Sequence, residues 1–111
     1  MKINVGVIFG GRSVENEISV ITAAQTMAAM NEQKYNIVPI YISKEGRWYT
    51  GDKLRTTDNY RDMKALLSSV EEVYFRPIFG DNHLYKVRKP MFGSDVVTTI
   101  DVILPCLHGT S

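Results

Sequence analysis

Residues 3–19 read Ile3-Asn4-Val5-Gly6-Val7-Ile8-Phe9-Gly10-Gly11-Arg12-Ser13-Val14-Glu15-Asn16-Glu17-Ile18-Ser19, and this stretch decides the fold. Ile3 to Phe9 is short, rich in β-branched residues and closed by glycines, the pattern of a buried parallel strand. Gly10-Gly11 permits a sharp turn and leaves room for a ligand close to the main chain. Ser13 is then expected as the N-cap of a helix, a role worth about 1 kcal/mol. Glu15 and Glu17 fall in or near the first turn, where the helix dipole favours negative charge.

A glycine turn between strand and helix commonly holds phosphate, because unpaired amides at a helix N-terminus attract anions. Glu15 argues for a different guest: a carboxylate two residues past the cap repels phosphate and suits a cation such as a substrate ammonium. The glycine spacing also departs from G-x-G-x-x-G and G-x-x-x-x-G-K-[ST]. The plainer alternative is that both acids only complement the dipole of an ordinary helix.

The helical pattern runs over 14–30, with Glu15, Ser19, Thr22 and Gln25 or Thr26 on one side. Ile18, Val20, Ile21, Ala24, Met27 and Ala28 give it a broad apolar face suited to lying on a sheet. Tyr35 to Ile42 reads as a second strand, with Pro39 pointing to an edge position or a bulge. Strand, helix and strand make a right-handed βαβ unit. Trp48-Tyr49 starts a short returning strand before Gly51, and Asp58 is expected to cap a second helix over 59–68. Tyr74 to Val87 reads as a hairpin, with His83 exposed at its turn and Lys89 to Ser94 a solvated loop. A third buried strand over 100–106 ends in His108-Gly109-Thr110-Ser111. In open α/β sheets ligands bind outside the carboxyl ends of the strands, so if the first and last strands are neighbours, Glu15 and His108 approach one another.

These elements predict an α/β fold: a three-layer, mostly parallel sheet flanked by helices, interrupted by an inserted hairpin region between Gly46 and Gly93. At 111 residues one domain is expected, burying roughly two thirds of its unfolded surface. A formal net charge of +1 gives no electrostatic case for nucleic acid or an anionic membrane. The single cysteine, Cys106, rules out an internal disulfide framework and fits a reducing compartment. The apolar run after Met1-Lys2 is too short for a signal peptide or a membrane span, so a cytoplasmic protein is expected.

The stretch from Gly10 to Ser19 resembles the D-alanine:D-alanine ligases of the ATP-grasp superfamily. Their amino-terminal signature reads roughly G-G-x-S-x-E-x-E-[VI]-S, and every fixed position is met here. The family also has a strand followed by H-G-x-x-G-E-D-G, of which His108-Gly109-Thr110-Ser111 is present. Tyr41 to Trp48 looks like the members with longer inserts. The resemblance implies a Rossmann-like pre-ATP-grasp domain over 1–111, the amino-terminal substrate domain, with the central and carboxyl-terminal ATP-grasp domains lying outside this chain.

What the resemblance implies about chemistry is specific. Such ligases use ATP to phosphorylate the carboxylate of a first D-alanine, and the amine of a second attacks the acyl phosphate to give the dipeptide of peptidoglycan. Glu15 matches the catalytic-site acid that holds the first ammonium, Ile18 the apolar residue beside its methyl group, and His108 the histidine lining the same subsite. Gly11 and Ser13 belong to the same substrate-binding turn. ATP and Mg2+ are implied for the complete enzyme and bound outside this chain, with no cofactor or metal residue assigned within it. The partners implied are D-alanine, the remaining domains of the same enzyme, and a second copy in a homodimer, with neither nucleic acid nor membrane. The second substrate stays open between D-alanine, D-serine and D-lactate. Two readings from other classes stand beside this one: a free-standing flavodoxin-like module binding a nucleotide or phosphate, and a non-catalytic domain for dimerisation. Truncation after Ser111 is expected to uncover apolar surface near Val102 and Leu104.

Overall fold

The computed structural model describes residues 1–107. Its elements run β1 (Ile3–Gly10), α1 (Asn16–Ala29), β2 (Tyr35–Ile42), β3 (Trp48–Thr50), two 3-10 turns (Asp52–Arg55 and Thr57–Arg61), α2 (Met63–Ser69), β4 (Glu71–Phe75), β5 (His83–Lys86), β6 (Val96–Thr99) and β7 (Val102–Cys106). All seven strands form one sheet in the order β6-β5-β4-β3-β2-β1-β7. The three expected buried strands are present and adjacent: β1 pairs in parallel with β2 on one side and with β7 on the other.

The sheet is not mostly parallel. From β2 onwards the pairs β2–β3, β3–β4, β4–β5 and β5–β6 are all antiparallel. For β2–β3, β4–β5 and β5–β6 the cause is connection length, since a parallel crossover needs a dozen residues or more; β3 and β4, joined through α2 by residues 51–70, are antiparallel despite a longer link. Only five residues, 43–47, join β2 to β3, and seven, 76–82, join β4 to β5. The segment from Gly46 to Gly93 is therefore an extension of the same sheet.

Nor are there three layers among the described residues. One face carries a core of Val5, Val7, Phe9, Val20, Ala23, Met27, Tyr41 and Leu66, built by α1 and α2 against the strands. The opposite face has its own cluster, Ile8, Ile40, Val73, Leu84 and Ile100, and no helix supplies it. The sheet covers this face by curling. β6 and β7 stand at opposite ends of the strand order, six spacings apart or about 29 Å if flat. They are nevertheless joined by Ile100 and Asp101 alone, a link of about 11 Å at full stretch. Leu84 of β5 thus meets Ile8 of β1. Gly6, whose missing side chain lies 3.1–3.3 Å from Ile40, Ile100 and Ile103, leaves the space for it. Asn4 ties the closure: its amide donates to Asp101 Oδ2 at 2.8 Å, its Nδ2 to the Thr99 carbonyl at 2.8 Å, and its carbonyl accepts from the Asp101 amide at 2.9 Å.

Several local expectations shift. Pro39 lies in an interior strand, but its carbonyl points at Thr50 Oγ1, 2.6 Å away, beyond the last residue β3 pairs. The missing N–H therefore forfeits no ladder bond. The second helix starts at Met63, and its cap is Asp62, which accepts from the Ala65 amide at 3.1 Å, rather than Asp58. His83 belongs to β5, half-buried beside Asp81. On α1 the buried residues are Asn16, Ser19, Val20, Ala23 and Met27, the stripe i, i+3, i+4, i+7 and i+11. Ile18 and Ile21, expected to pack, are about half exposed, at 53% and 52%.

Gly10, with φ +92°, bears the turn from β1 towards α1; a Cβ there would collide with the Ile42 carbonyl oxygen and the Tyr41 ring. We expect Gly10→Ala to destabilise the chain by more than about 1 kcal/mol, because left-handed strain adds to that clash; urea unfolding measures it, and an unchanged midpoint would contradict this account of the turn. β7 ends the strand order with Val102 50% and Leu104 37% exposed. An open apolar edge strand promotes association, so sedimentation of the 111-residue chain should show concentration-dependent oligomers that Leu104→Lys reduces.

Candidate functional site

The ends of β1, β2 and β7 and the start of α1 converge at the glycine turn, because β1 is the middle of the three parallel strands and delivers the chain directly into it. Two buried side chains of α1 fix this junction. Ser19, fully buried, accepts from the Gly10 amide at 2.8 Å and donates its hydroxyl hydrogen to the Cys106 carbonyl. It thereby bridges the ends of β1 and β7. Asn16, 2% exposed, donates from Nδ2 to the Gly11 carbonyl at 2.6 Å and to the Ile42 carbonyl at 3.1 Å. Its Oδ1 accepts from the Tyr41 hydroxyl at 2.9 Å. Burial pushes the Tyr41 hydroxyl above its usual pKa, which keeps it a donor across the neutral range.

The sequence signals placed the polar side of α1 differently. The expected pattern sets Ser19 on one side with Glu15, apart from the apolar face, and gives Asn16 no role. The spacing Asn16, Ser19, Val20, Ala23, Met27 is itself helical, so the stripe was readable once polar residues were admitted to a buried face. They belong there because strand ends leave carbonyls and amides that something must satisfy.

Ser13 does not cap α1 in the expected way. The helix begins at Asn16 with Glu15 at the cap position, and Ser13 lies in the preceding turn. Its Oγ accepts from the Glu15 amide at 3.1 Å and its carbonyl from the Asn16 amide at 3.2 Å. The Gly11 amide is likewise engaged, donating to the Ile42 carbonyl at 2.8 Å. The amides of Gly10, Gly11, Glu15 and Asn16 are thus all committed inside the chain.

Glu15 is half-buried at the helix start, and Ile18 is exposed one turn on. Glu17 points elsewhere: it pairs with Lys44 at 3.2 Å, across the turn that follows β2. On that side a cavity of about 530 Å3 opens between α1, the end of β2 and α2, with Asn16, Val20, Tyr41, Tyr60, Met63 and Leu67 in its wall. Its described wall includes neither Glu15 nor Ile18, so the expected ammonium site and this cavity lie on different sides of α1. Gly11 adjoins Glu15 through the turn, with open space around it. His108 lies outside the described residues; the strand that leads to it, β7, runs beside β1 as far as Cys106 opposite Phe9.

Comparison with known proteins agrees with this architecture. Residues 4–111 match the family model described as D-ala D-ala ligase N-terminus. A D-alanine-D-alanine ligase of Thermosipho melanesiensis is 35% identical over 111 residues, covering 98% of this chain and 28% of that protein. Among solved structures, the D-alanine-D-alanine ligase from Coxiella burnetii superposes with a TM-score of 0.73 at 27% identity, over 98% of this chain and 29% of that one. A D-Ala:D-Ser ligase from Enterococcus faecalis has the same fold, with a TM-score of 0.74 at 24% identity over 97% of this chain and 29% of its own. The chain thus spans under a third of the length of these relatives. A match over nearly its whole length, on a sheet whose parallel strand ends meet at the glycine turn, means that the chain belongs to the family of D-alanine:D-alanine ligase amino-terminal domains.

Proposed function

We propose that this chain is the amino-terminal domain of an ATP-dependent ligase that joins two D-alanines through an acyl phosphate for peptidoglycan synthesis, and that it contributes the subsite for the first D-alanine. The observation that carries the reading is the position of Glu15: a carboxylate at the start of a helix whose backbone is fastened to three strand ends. Its task is orientation. A charge-assisted bond from a partly buried carboxylate to an ammonium is worth roughly 1.5–3 kcal/mol, and fixing the ammonium fixes the carboxylate of the same small molecule for reaction. Ile18 offers apolar surface for the methyl group, Gly11 and Ser13 shape the turn, and His108 is assigned to the same subsite.

ATP, held with Mg2+ by the rest of the ligase, supplies the phosphoryl group that activates the first carboxylate. The glycine turn of this chain is not assigned to it, because the amides of Gly10, Gly11, Glu15 and Asn16 are bonded within the protein and Glu15 puts a negative charge at the helix start. The same engagement disfavours a flavodoxin-like phosphate module. A cytoplasmic homodimer is the form in which we expect the ligase to work.

Two measurements test this. In the full-length ligase, Glu15→Gln keeps shape and one acceptor but removes charge, so the constant for the first D-alanine should rise about ten- to a hundredfold. Glu17→Gln, which breaks only an exposed pair with Lys44, should leave it within about threefold, and equal effects would return Glu15 to the role of a dipole-complementing acid. The 111-residue chain alone should release no phosphate from ATP with D-alanine above a buffer blank.

A further inference from the structure

We infer that Asn16, oriented by the Tyr41 hydroxyl, is the positioning residue that sets the direction of the Glu15 carboxylate. This rests on the subsite reading above and adds to it a residue that does not touch the substrate. Glu15 occupies the cap position, and no side chain caps the first turn there. A helix end without a cap frays, yet a carboxylate that orients a small amino acid must not, since a misplacement of about 1 Å can cost on the order of a hundredfold.

Asn16 supplies the missing rigidity from one residue away. Its two amide hydrogens reach the carbonyls of Gly11 and Ile42, which uses both donors of the NH2 group. Its remaining oxygen takes the Tyr41 hydroxyl, so the amide has one orientation. The Tyr41 ring is itself locked, at 5.6 Å from Phe9 and 5.3 Å from Tyr60 between ring centroids. The first turn of α1 is thereby bolted to the glycine turn and to the end of β2. The bonds Ser13 makes to the Glu15 and Asn16 amides are local and move with the turn.

The test is steady-state kinetics on the full-length ligase. Asn16→Ala should raise the constant for the first D-alanine about tenfold, with kcat and the second-substrate constant within about threefold. Tyr41→Phe, which leaves both carbonyl bonds but frees the amide, should raise the same constant about two- to fivefold. The double variant Glu15→Gln/Asn16→Ala should bind the first D-alanine within about twofold of Glu15→Gln, because the charge-assisted bond that Asn16 aims is already lost and the remaining neutral bond is weaker. A merely structural role would lower the melting temperature and kcat while leaving the first-substrate constant alone, and that result overturns the inference. Should Asn16→Ala not fold, Tyr41→Phe decides: an unchanged first-substrate constant overturns the proposal. If Glu15→Gln itself leaves that constant unchanged, the subsite reading fails; if Glu15→Gln raises it and Asn16→Ala does not, only the positioning role fails.

Discussion

The two residues between Thr99 and Val102 impose the constraint on which the structure depends. They join the outermost strands of a seven-stranded sheet, and so short a link forces the sheet to roll until the end of β6 lies near the start of β7, with the two edge strands not paired to each other. Rolling buries Ile8, Ile40, Leu84 and Ile100 against one another, giving the helix-free face a core. It also sets Asp101 beside Asn4 and starts β7 in register with β1. Val5 opposite Val102 through Phe9 opposite Cys106 then brings the carboxyl ends of both strands to the same level, where the glycine turn begins.

The polar anchors of α1 are the counterpart of that closure on the other face. A helix laid over strand ends meets backbone groups that no neighbouring strand satisfies, and leaving one buried and unpaired costs on the order of 1–3 kcal/mol. Asn16 and Ser19 meet this demand, and in doing so register the helix against β1, β2 and β7 at once. Apolar residues at those positions would pack, but they would let the helix slide. Precision at the helix start is therefore a by-product of satisfying carbonyls.

The parts of the fold legible in the sequence were those written as uniform runs. Ile3–Phe9, Tyr35–Ile42 and the run ending at Cys106 are β-branched and apolar, and they form adjacent parallel strands as expected. Direction beyond β2 was legible in part: Trp48-Tyr49 returns beside β2 and the stretch from Tyr74 to Val87 holds a hairpin, both antiparallel as expected, but that these strands extend the same sheet was not, because β3 and β4 are joined only through the long segment 51–70. The curl was hidden because it depends on β6 and β7 occupying opposite ends of the order, a tertiary fact no local window contains. At the junction, the turn at Gly10 was legible through its glycines and their place after an apolar strand. Asn16 and Ser19 were missed because a buried polar residue looks like a solvent-facing one until its partners are known, and the packing assigned to Ile18 and Ile21 went wrong for the same reason.

Trp48 is the only tryptophan in the chain, and it sits edge-on to Phe75, 6.1 Å between ring centroids, against the cluster that the curl encloses. Its indole is thus remote in kind from the polar junction at the glycine turn. Intrinsic emission from this protein reports on whether the sheet has rolled shut, although Trp48 pairs with Ile42, whose carbonyl belongs to the polar junction. The fluorophore is a gauge of closure.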